Sequence, residues 1–107
     1  MAYHSVVRQS YPHNLHRAVN DFLADIDGAN HPYDDFADMT NPDIREDALS
    51  VLTDRHREIL RNRYEEHLTL NEIGELMGIT GNRVRQLEHC AFGKIRRRII
   101  HNYKQAN

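Results

Sequence analysis

Residues 69–87, TLNEIGELMGITGNRVRQL, spell out two helices and the turn that joins them. Thr69 stands at a helix start, and Glu72 three residues later completes a Thr-x-x-Glu capping box. Ile73, Leu76 and Met77 follow at helical spacing on one face. Gly78 is the residue type that takes the left-handed conformation closing a helix. Ile79 plugs the turn, and Thr80 caps a second helix whose inner face begins at Val84 and Leu87. Gly74 falls where two steeply crossing helices leave no room for a side chain. The polar remainder, Asn82, Arg83, Arg85, Gln86 and His89, lies early in the second helix. That is the end which a helix-turn-helix inserts into the major groove.

Outward from this stretch, Thr53 caps an earlier helix with Asp54 in its first turn. Ile59, Leu60 and Tyr64 form its apolar side, and Arg55, Arg57, Arg61 and Arg63 crowd the rest. Residues 65–68 make a short connection. Before it, Pro42 opens a helix running to about Val51 with Ile44, Ala48 and Leu49 inward. A first helix is expected from Asn14 to about Ile26, on Leu15, Val19, Phe22, Leu23 and Ile26. Residues 1–13 are expected to be unstructured, with Pro12 as a breaker. Residues 27–41, with Gly28, Pro32 and four Asp, form an acidic linker. The second helix of the pair continues past Ala91, Phe92 and Ile95 to about Ile99, and Gly93 inside it costs about 1 kcal/mol relative to Ala. No stretch alternates with the two-residue period of a strand, so the fold class is all-α. The reading is of an arm, residues 1–41, and a helix-turn-helix domain, residues 42–107.

The chain has 107 residues, 39% hydrophobic and 28% charged, with a net charge of −2. Its charge is segregated. Residues 1–50 carry nine acids against Arg8, Arg17 and Arg45, whereas residues 51–107 carry eleven Lys or Arg against seven acids. Phosphate binding depends on the local field, which falls away over about 8–10 Å at physiological salt. A basic C-terminal half therefore suits DNA despite the overall sign. No apolar run has the length of a membrane span, the N-terminus lacks a signal-peptide core, and a single Cys90 excludes an internal disulfide framework. These features point to a cytoplasmic, nucleoid-associated protein. Cys90 is expected to pack on the recognition helix, and the eight histidines to lie at the surface. His13 and His16 lack further ligands at zinc-site spacing. No nucleophile or phosphate loop stands in recognisable context, so neither a cofactor nor an enzymatic activity is implied.

From Leu52 to Arg98 the chain resembles region four of the housekeeping class of bacterial RNA polymerase sigma factors. The resemblance rests on Leu52, Thr53 and Arg55, then Leu60, Arg61, Arg63 and Tyr64. It continues through Thr69-Leu70, Glu72-Ile73-Gly74, Arg83 to Glu88, and Lys94-Ile95-Arg96. It implies recognition of double-stranded promoter DNA about thirty-five base pairs upstream of the start, and docking on the flap of the polymerase β subunit. By position, Arg83, Arg85 and Gln86 would enter the major groove, with Asn82 and His89 beside them. Arg55, Arg61, Arg63 and Thr69 would touch the backbone, and Phe92, Ile95 and Arg96 would face polymerase. Arginine reads guanine and glutamine reads adenine through paired hydrogen bonds, while dispersed arginines fix register.

Gly81-Asn82 stands where the family usually has Arg-Glu, and Gly93 replaces a basic residue, so neither the usual promoter sequence nor an inherited activator contact follows. Residues 1–51 contain no Trp and few aromatics, so the expectation is either upstream recognition supplied to a separate sigma-like melting subunit or a regulator that borrows or displaces the sigma position. Stand-alone domains of this kind in the family are typical of phages and mobile elements. Two alternatives stand beside the DNA-reading regulator: a polymerase- or sigma-binding inhibitor, and a homodimeric repressor.

Overall fold

A computed structural model describes residues 2–27 and 32–106, with side chains over 13–25 and 32–106. Five α-helices follow in order: α1 (Ala2–Asp27), α2 (Pro42–Leu49), α3 (Asp54–Tyr64), α4 (Leu70–Met77) and α5 (Gly81–Ala106), with a 3-10 turn at Asp34–Phe36 between the first two. No strand occurs among the described residues, as the absence of two-residue alternation requires.

The starts of the inner helices follow their capping chemistry. Asn41 accepts the Asp43 amide ahead of Pro42, and Thr53 accepts the His56 amide at the start of α3. At the start of α4, Thr69 Oγ1 accepts from the Glu72 amide at 3.1 Å, and the Glu72 carboxylate accepts from the Thr69 amide at 2.8 Å. Each bond satisfies a backbone donor that the first helical turn leaves without a partner.

Packing divides the interior in two. Ile59, Ile73, Val84 and Leu87 form a small cluster beneath the helix-turn-helix, flanked by Leu68, Leu70, Met77 and Ile79. The larger cluster joins Leu15, Val19 and Leu23 of α1 to Leu60 of α3 and to Ala91, Phe92, Ile95 and Ile99 of α5. Because α3 and α5 contribute to both clusters, the first turns of α5 are continuous with the strut that anchors them.

Several expectations require correction. The first helix begins at Ala2 and runs through Pro12, which forfeits one helical amide, a loss of about 3 kcal/mol that the helix spans without ending. The acidic segment is no tether over its described part: Tyr33, Ala37 and Met39 are buried in the large cluster, and the Met39 amide donates to His16 Nδ1 at 3.2 Å. Residues 28–31 lie outside the described residues. The last helix passes Ile99 and reaches Ala106, since Tyr103 still packs edge-on against Tyr33 and Phe36. Leu76 shares the helical spacing of Ile73 but is 67% exposed, because the neighbouring helices cover only the centre of that side of α4. His56 is buried rather than at the surface, and Cys90 is exposed rather than packed. A Cβ added at Gly93 would meet open space, so this glycine serves no close contact.

Asp47 ties α2 to the far half of α5. Arg98 grips its carboxylate with two bonds, 2.7 and 3.0 Å, and Asn102 adds a third at 2.7 Å. The Arg98 and Asn102 hydrogen bonds hold the carboxyl down to about 2, from 3.8. Burial, followed by the charges of Lys94 and Arg55, pushes the His56 imidazole below 6.5. Both groups bind protons more readily when the chain unfolds, so both make stability fall as pH drops. Thermal unfolding followed across pH should weaken first below about 6.5, from His56, and again between about 3.8 and 2, from Asp47. Asp47→Asn should shrink the second decline to the part that Asp38, held down by its hydrogen bond to Thr40, contributes, and leave the first. A variant that keeps both declines at full size would break this assignment.

Candidate nucleic-acid interface

The turn between α4 and α5 is built from backbone alone. Gly78 adopts φ 71° and ψ 31°, and the Ile79 amide returns to the Gly74 carbonyl at 2.9 Å. Thr80 Oγ1 then accepts from the Arg83 amide at 3.0 Å, starting α5 in the direction the turn dictates. Val84 and Leu87 bury the inner face of the first turns. Asn82, Arg83, Arg85 and Gln86 all face outward and are exposed.

These four side chains are pre-ordered in two pairs. Arg83 Nη1 donates to Gln86 Oε1 at 3.3 Å, and Arg85 Nη2 donates to Asn82 Oδ1 at 3.0 Å. Each pair spans three residues on the helix surface, which limits the rotamers that a ligand must select. His89 is also exposed, one turn further on, with its ring edge-on to Phe22 of α1 at 5.1 Å between centroids.

The backbone-contact set separates into two kinds. Arg55 and Arg61 are exposed on α3, and Thr69 is exposed at its cap. Arg63 instead turns inward: its Nε donates to Glu88 Oε2 at 3.1 Å and its guanidinium lies over the Tyr64 ring. The Tyr64 hydroxyl donates to the same Glu88 oxygen at 2.7 Å. Burial, then the hydrogen bond to Glu88, hold the phenol well above its ordinary range, so it remains a donor. Glu88 is 8% exposed, and this three-membered contact clamps α5 to α3 close behind its exposed first turns.

The sequence reading placed Glu88 in a motif but missed its role. A signal was present: Glu88 interrupts the stripe of Val84, Ala91, Phe92 and Ile95, and a carboxylate in an apolar stripe demands a partner. Phe92 and Ile95 correct the expectation of a polymerase-facing surface at those residues. Both are buried in the large cluster, and such side chains offer a partner nothing without unpacking the core. Arg96 is half-buried beside them.

Arg97 stands exposed further along α5, whereas Arg98 is committed to Asp47. Among the described residues no group of three or more histidine, cysteine or acidic side chains could hold a metal ion, and no helix is long and apolar enough to cross a membrane.

Comparison with known proteins agrees with this geometry. The family profile of sigma-70, region 4, matches residues 48–97. The chain is 38% identical over 82 residues to RNA polymerase sigma factor SigA of Listeria monocytogenes serovar 1/2a, and equally to that of Listeria innocua serovar 6a. The match takes in 73% of this chain but only 22% of each of those proteins, so the chain spans about a fifth of their length. No solved structure matches it. The segment with the capped turn, the buried inner face and the outward polar pairs is the segment the profile matches, and this chain therefore carries a sigma-70 region-four helix-turn-helix domain.

Proposed function

We propose that this chain is a sequence-specific DNA-binding transcription regulator that acts with or on bacterial RNA polymerase at promoters. The observation that carries the reading is the solvent-facing set Asn82, Arg83, Arg85 and Gln86 on a helix start whose opposite face is buried. In this reading residues 42–107 do the DNA reading and residues 1–41 flank them. Asn82, Arg83, Arg85 and Gln86 meet base edges and adjoining phosphates, with His89 beside them. Arg55, Arg61 and the Thr69 cap hold the backbone, and Arg63, paired with Glu88, steadies α5 from behind. Binding is the whole activity, without a catalytic step. The polymerase β flap and a separate melting subunit are the protein partners, and the cytoplasmic nucleoid is the site of action.

The test is a mobility-shift series across salt on promoter and scrambled duplexes. Neutralised phosphates predict a straight log–log decline with a slope of about −0.9 per contact. Arg83→Ala and Gln86→Ala should each lose about 1–3 kcal/mol of discrimination between the duplexes. Arg61→Ala should weaken both duplexes alike and make the slope shallower by about 1. Equal losses on both duplexes at Arg83 and Gln86 would remove the base-reading role. The inward turn of Arg63 favours one competing reading, a polymerase- or sigma-binding inhibitor with little DNA reading. Absence of a shift at the lowest salt, together with capture of core polymerase by the tagged chain, would select it.

A further inference from the structure

The start of α5 contains a vacancy that another helix fills. Gly81, its first residue, has no side chain, and a Cβ built there would fall well inside contact distance of the Asn71 Oδ1 atom. It would also stand 3.2 Å from Asn71 Cγ and 3.3 Å from the Asn71 amide nitrogen. The Asn71 carboxamide, from the first turn of α4, therefore occupies the place where the residue-81 side chain would begin. Both residues line one open groove with Thr69, Asn82 and Arg85. Asn71 is exposed.

The polar groups around that groove differ in how committed they are. Asn82 and Arg85 bond one another, Arg83 and Gln86 bond one another, and Thr69 is taken up by its capping box. The Asn71 side chain makes no hydrogen bond among the described residues, so its carboxamide, with Oδ1 seated against Gly81, stays uncommitted at the edge of the groove. A carboxamide presents an acceptor and a donor side by side, the pattern complementary to the N6 and N7 edge of adenine.

We infer that Asn71 is a specificity-determining residue: its carboxamide, seated over Gly81, reads one base edge at the end of the site nearest the start of α5. The inference rests on the DNA-reading function proposed above. It also explains why a glycine serves at position 81: any side chain there takes the space from Asn71. The atoms that must move furthest are the far end of a flexible side chain, while the Asn71 amide nitrogen need give by only a few tenths of an ångström, so substitution at 81 displaces the reader before it disturbs the fold.

Selection of a randomised duplex pool by the full chain, followed by sequencing of the bound fraction, tests this. Asn71→Ala should lower preference at one base pair by about tenfold while leaving affinity for scrambled duplex unchanged. Gly81→Ala, which adds only a methyl group, should flatten the same base pair. In the free protein the Asn71 side-chain amide resonances should move in Gly81→Ala and stay in place in Gly93→Ala. An unaltered preference in Asn71→Ala, or an equal loss on all sequences, overturns the inference. An unmoved Asn71 amide in Gly81→Ala overturns the competition for space. A parent chain that enriches no sequence refutes the DNA-reading function itself, and with it this refinement, whereas the amide shift still reports on the geometry.

Discussion

Replacing Gly74 with alanine should lower stability by about 2–3 kcal/mol, read as a fall in the denaturation midpoint with an unchanged slope. A methyl group at that position would lie 2.5 Å from the Ile79 carbonyl oxygen and 3.1 Å from both the Gly81 nitrogen and the Thr80 carbonyl carbon. All three neighbours are backbone atoms of the turn, so none can rotate aside. The same carbonyl-to-amide region holds the Ile79-to-Gly74 hydrogen bond at 2.9 Å. Relief requires α4 to move away from the turn, which tilts the start of α5 and its outward side chains. The gain of about 1 kcal/mol that alanine ordinarily brings to a helix interior makes the comparison sharp, because the two effects oppose. A variant as stable as the parent would mean that the helices do not approach this closely.

The second large effect separates two residues that periodicity treats alike. Ile73→Ala should destabilise by about 2–5 kcal/mol, since Ile73 is fully buried against Ile59, Val84 and Leu87 and its loss leaves a cavity. Leu76→Ala should change stability by less than about 0.5 kcal/mol, because two-thirds of Leu76 already meets water. Urea denaturation of both variants beside the parent checks the pair. Comparable losses would show that the covered side of α4 extends to Leu76, against the two-thirds of that side chain that meets water.

The two residues also show where sequence information ends. Helical spacing put Ile73, Leu76 and Met77 on one side of α4, and spacing does identify a side. It does not give the width of the surface that arrives to cover it. In an eight-residue helix held between α3 and α5, only the centre of that side is covered. Similar reasoning applies to Phe92 and Ile95. Their apolar character was plain, but whether an apolar residue faces a partner or the interior depends on what packs opposite. Here α1 does: Phe22 meets Phe92 at 5.7 Å between ring centroids. The acidic composition of residues 27–41 concealed Tyr33, Ala37 and Met39, which carry the packing, while Asp34 and Asp35 are exposed. Arg63 belonged to a basic face by sequence and to Glu88 by tertiary contact, 25 residues away.

Local chemistry alone specified the capping box at Thr69, the left-handed close at Gly78, the new start at Thr80 and the outward polar turns of α5. Each of these depends on groups within about one turn of one another along the chain, so the linear order of residues contains the cause. Tertiary packing decided the remainder: that α1 joins the core, that Glu88 draws Arg63 inward, and that Asn71 comes to rest over Gly81. Those outcomes depend on surfaces meeting across long separations in the chain, where desolvation and shape select the partner and no spacing rule records it.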